Sequence, residues 1–247
     1  MIVFSPTGMG ANTSRADLLP GMLDAVLAGK ARPPQKGAGL RTPVWSLRSR
    51  VPVQWRSSVA RLLPDRVVAD MTTRLYLRAD WRRTRAIAVP GDNKGYVRLN
   101  LRGREREGIV DPGDAGELMD AIAQGLATFR DPDGSPSIVK VERMSEVAGA
   151  GPYAERLPDL VVFWGDRPAA HLPGVSSPSY GEVERHGAGS GRSGNHVDDA
   201  WAILVPGASR IRELGRPARI TDIGATACSL LGADLTGLSG ESLLEAA

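Results

Sequence analysis

A single cysteine, Cys228, is present in 247 residues, so no disulfide can close within the chain and no cysteine-rich zinc site can be built. It falls in an apolar helical pattern, which reads as a buried structural thiol. Aromatic residues are scarce at 5%, and the net charge is only +3. The chain therefore lacks the clustered basic surface and stacking platforms of a nucleic-acid binder. Lysine is nearly missing, with 4 against 27 arginines. Alongside abundant Ala, Gly and Pro, that skew reads as compositional bias rather than as a binding surface. No apolar run reaches the length of a membrane span, and Met1-Ile2-Val3-Phe4 lacks the basic start and long apolar core of a signal peptide. The expectation is a cytoplasmic chain with neither membrane nor nucleic-acid partners.

What is present suits one sizeable core: 42% hydrophobic and 24% charged residues, with no repeat and no linker. A single α/β domain over 1–247 is expected. Its centre is Gly95-Tyr96-Val97-Arg98-Leu99-Asn100-Leu101-Arg102-Gly103-Arg104-Glu105. Val97, Leu99 and Leu101 alternate with Arg98, Asn100 and Arg102, the period-two pattern of a strand with one buried and one wet face, and Gly103 turns the chain. Arg98, Arg102 and Arg104 are candidate ligand-binding residues, because a guanidinium fork matches phosphate or carboxylate. The competing reading is a solvated face paired with Glu105 and Glu107.

Around this strand, Ile2-Val3-Phe4 reads as a buried strand followed by the Gly-rich loop Ser5-Pro6-Thr7-Gly8-Met9-Gly10. Helices are expected from Asp17 to Leu27, stopped by Gly29, and over Val53–Leu63, Gly116–Phe129 and Thr221–Leu231. The last has a buried face of Ile223, Ala227, Leu230 and Leu231. Strands are expected over Ala86–Val89, at Ile138-Val139 with Val141, over Asp159–Trp164 and over Ala200–Val205. Ala31–Pro43 and Pro173–Asn195 read as loops, and Val67–Leu77 is ambiguous. Gly189, Gly191 and Gly194 fit a G-x-G-x-x-G spacing, but no strand leads into them and no helix follows. His171 and His186 read as loop residues. His196, alone before a strand, suits either a hydrogen-bonded structural residue or a metal ligand. Ser5 and Ser193 form no nucleophile elbow, and no residue is assigned a catalytic role.

Several of these stretches resemble the alkaline phosphatase superfamily, in its type I phosphodiesterase and nucleotide pyrophosphatase branch. The likeness runs through Asp80-Trp81 to Arg85-Ala86, Gly95 to Val110, Phe4-Ser5 with Gly8-Met9-Gly10, Gly194-Asn195-His196, Thr221 to Thr226 and Leu238 to Leu244. It implies a mixed, mostly parallel sheet with flanking helices, an incomplete domain of that superfamily. It also implies a two-metal phosphate-ester hydrolase, with His196 as ligand to one metal and Pro6 and Thr7 at the Asp and His positions of the other. The family's nucleophile and its remaining ligands would lie ahead of this chain's first strand.

Three functions follow as expectations. The first is a truncated or degenerate phosphohydrolase-like protein, inactive alone, which takes zinc or manganese only where the family site is completed. The second is a non-catalytic module that binds a phosphorylated small molecule or a partner chain, the partner being a missing N-terminal chain or a second copy at an exposed sheet edge beside Ile2–Phe4. The third is an active phosphodiesterase or sulfatase-like hydrolase with unconventional ligands.

Overall fold

The computed structural model describes residues 1–29, 83–89, 91, 93–149, 151–185, 192–207 and 209–245. The expectations for Ala31–Pro43, Val53–Leu63, Val67–Leu77, Asp80-Trp81, His186, Gly189 and Gly191 fall outside them. The chain forms two compact units, one of Ala11–Asn195 and one of Met1–Gly10 with His196–Ala247.

In the larger unit, α1 (Leu19–Ala28) takes Pro20 in its first turn and ends at Gly29, whose φ of 65° closes the helix in the left-handed region. Leu19, Met22, Leu23, Ala25 and Val26 form its buried face. Strands β3 (Ala86–Val89) and β4 (Gly95–Leu99) pair antiparallel, with Ala88 opposite Val97. Gly103, at φ 82°, turns the chain after β4. Helix α2 (Ala115–Leu126) buries Leu118, Ile122 and Leu126. Strands β5 (Ile138–Arg143) and β6 (Leu160–Trp164) flank the short α3 (Met144–Ala148). The sheet order is β3-β4-β6-β5, and its three ladders are antiparallel. Helix α1 lies against β3 and α2, and α2 against β5. Val97, Leu99, Leu160, Val162, Phe129 and the helix faces form the core between them.

Three expectations change here. The sheet is antiparallel rather than mostly parallel, because the β3–β4 connection is too short for the crossover that parallel neighbours require. The stretch read as a loop over Pro173–Asn195 contains an antiparallel hairpin, β7 (Gly174–Ser177) with β8 (Gly181–Glu184). Val175 and Ser177 point inward from it, Val183 packs on the core and Tyr180 stacks on Phe129. One apolar side chain per strand leaves no periodicity to read. Finally, Asn100 is not on a wet face. It is fully buried, and its amide donates to the carbonyls of Thr84 and Glu107.

In the smaller unit, β1 (Ile2–Ser5) pairs antiparallel with β10 (Trp201–Leu204), and β2 (Gly8–Ala11) pairs with β9 (Gly194–Val197). Helix α4 (Ile220–Leu230) opens with Asp222 accepting the Arg219 backbone N–H. Two expectations change again. Val3 and Phe4 of β1 are exposed. In α4 the buried face is Asp222, Ala225 and Thr226, whereas Ala227, Leu230 and Leu231 are exposed. The cause is polar: the Asp222 carboxylate draws that face inward by binding Arg216 and the Glu241 N–H, and the Thr226 hydroxyl accepts the Leu243 N–H.

Candidate functional site

Strand β1 ends in the turn Pro6-Thr7, and β9 carries His196 beside it. The Thr7 hydroxyl lies 3.1 Å from Nδ1 of His196. Ser5 steadies the turn by donating its hydroxyl to the Thr7 carbonyl at 2.7 Å. The glycines after the turn have a packing reason. A Cβ on Gly8 would stand 2.6 Å from the Asp199 carbonyl oxygen, and one on Gly10 would stand 2.8 Å from a Val197 methyl. Only glycine lets β2 approach the backbone around His196 this closely. The stretch read as a Gly-rich loop is therefore, from Gly8 onward, strand β2 packed against β9.

This arrangement offers one imidazole and one hydroxyl. A metal centre of the kind the resemblance implies needs at least three protein ligands per ion, drawn from imidazole, carboxylate or thiolate. Pro6 has no donor atom. Among the described residues no three His, Cys, Asp or Glu side chains come together in a way that could hold a cation. The described residues do not fit a two-metal centre. His171 lies exposed in a turn of the larger unit.

The three arginines of the central stretch behave differently from one another. Arg104 grips both oxygens of Asp159 at 2.7 Å, donates to the Leu99 carbonyl at 2.7 Å and meets Glu105 at 3.0 Å. The hydrogen bond to Asp159 raises its pKa above the ordinary arginine value. Arg98 donates to Glu105 at 2.7 Å and to the carbonyls of Leu157 and Glu155. These two side chains share Glu105 and staple the segment 155–159 to the end of β4. Arg102 stands apart, largely exposed and 3.9 Å from Asp111. Asp159 was not legible as the partner of Arg104, since it lies 55 residues away and precedes a plain apolar strand. Glu105 had a local signal, an acid within a few residues of Arg98, Arg102 and Arg104.

A second polar centre, also unannounced in the sequence, is Arg15. Its side chain is fully buried, forks onto Asp131, and donates to the carbonyls of Thr13, Gly165 and Arg167. Ser137 completes Asp131 with a 2.7 Å bond. With its donors answered by protein acceptors, this cluster ties together the chain before α1, the turn before β5 and the end of β6.

Compared with protein-family models, with curated proteins and with solved structures, the chain matches none. Among the described residues no helix is long and apolar enough to cross a membrane.

Proposed function

We propose that this chain is a degenerate phosphohydrolase-like protein, the C-terminal portion of an alkaline-phosphatase-type frame, which does not hydrolyse phosphate or sulfate esters by itself. The observation that carries this reading is the Thr7–His196 contact. The resemblance places ligands to two adjacent metals at the end of β1 and at His196. The two elements do lie together, but with a proline and a hydroxyl in place of carboxylate and imidazole. A two-metal displacement needs both ions to clamp the attacking and leaving oxygens. One imidazole supplies neither. Phosphate capture by Arg98 or Arg104 is disfavoured, because a ligand would have to displace the internal carboxylates and carbonyls that hold them.

The test is turnover of nitrophenyl phosphate and bis-nitrophenyl phosphate by the purified chain with zinc and with manganese. The reading predicts rates no different from those of a His196→Ala variant. Metal-dependent turnover that vanishes in that variant would overturn it.

A further inference from the structure

We draw no further inference here: the strongest candidate, the exposed apolar patch of Val3, Phe4, Trp201 and Ile203 on the β1–β10 ribbon, carries nothing because nothing in the structure shows what covers it.

Discussion

Arg104 and Asp159 form a two-pronged ion pair, both prongs at 2.7 Å, and the same carboxylate also accepts the Leu99 backbone N–H at 2.6 Å. A guanidinium that looks free to hold a ligand is thereby committed to the fold. Arg104→Ala is expected to cost about 2 kcal/mol of stability, in the range for hydrogen bonds to charged groups. Arg104→Lys recovers only part of it, since an ammonium cannot reproduce the fork. Urea denaturation measures both losses. Binding of inorganic phosphate, followed by calorimetry, is expected to be no weaker in the variants than in wild type.

Arg15 and Asp131 are both fully buried. Removing one partner leaves an uncompensated charge inside, so Asp131→Ala is expected to destabilise by about 3–5 kcal/mol. A double replacement of Arg15 and Asp131 by apolar residues of similar volume is expected to cost less than either single change. Denaturation midpoints of the three variants check the order.

Asp222 gives the chain an acid limit. The bond from Arg216, followed by the Glu241 and Arg219 backbone N–H groups, holds its carboxyl far below the usual aspartate value. A pKa depressed on folding contributes stability that is fully present above the unfolded value of about 3.9 and is lost as pH falls toward the folded one. The transition temperature is therefore expected to drop steeply below about pH 4, and Asp222→Asn to flatten that acid limb. Thermal scans between neutral pH and the acid range read both.

Gly108 follows the central strand at a close backbone crossing. A Cβ there would stand 2.0 Å from the Leu101 carbonyl oxygen, a distance no side chain can relieve. Gly108→Ala is expected to destabilise by about 1–3 kcal/mol through forced backbone shifts. Gly151→Ala, with no atom near its Cβ position, is expected to be near neutral. Denaturation of the pair tests the contrast.

Where apolar spacing was dense, the sequence was a good guide. Leu19, Leu23 and the Gly29 stop mark α1; Leu118, Ile122 and Leu126 mark α2; and Ala86–Val89 is a strand with those same bounds. Direction and pairing were not legible, since antiparallel order comes from connection geometry rather than from side-chain period. The buried Arg15 was invisible because arginine is ordinarily exposed and its partner lies 116 residues away. At the site, Pro6, Thr7 and His196 were singled out by resemblance, and the fold sets Thr7 beside His196. Pairing of the central arginines with Glu105 was among the readings, whereas the distant partners that complete it, Asp159 for Arg104 and the carbonyls of Glu155 and Leu157 for Arg98, were not legible.

We infer that Thr7 and His196 do not amount to a metal centre. Calorimetric titration of the chain with zinc and with manganese, beside His196→Ala, tests it most directly. No stoichiometric binding is expected to distinguish the two proteins. One equivalent of zinc or manganese bound by wild type, and lost in His196→Ala while the fold persists, would contradict it.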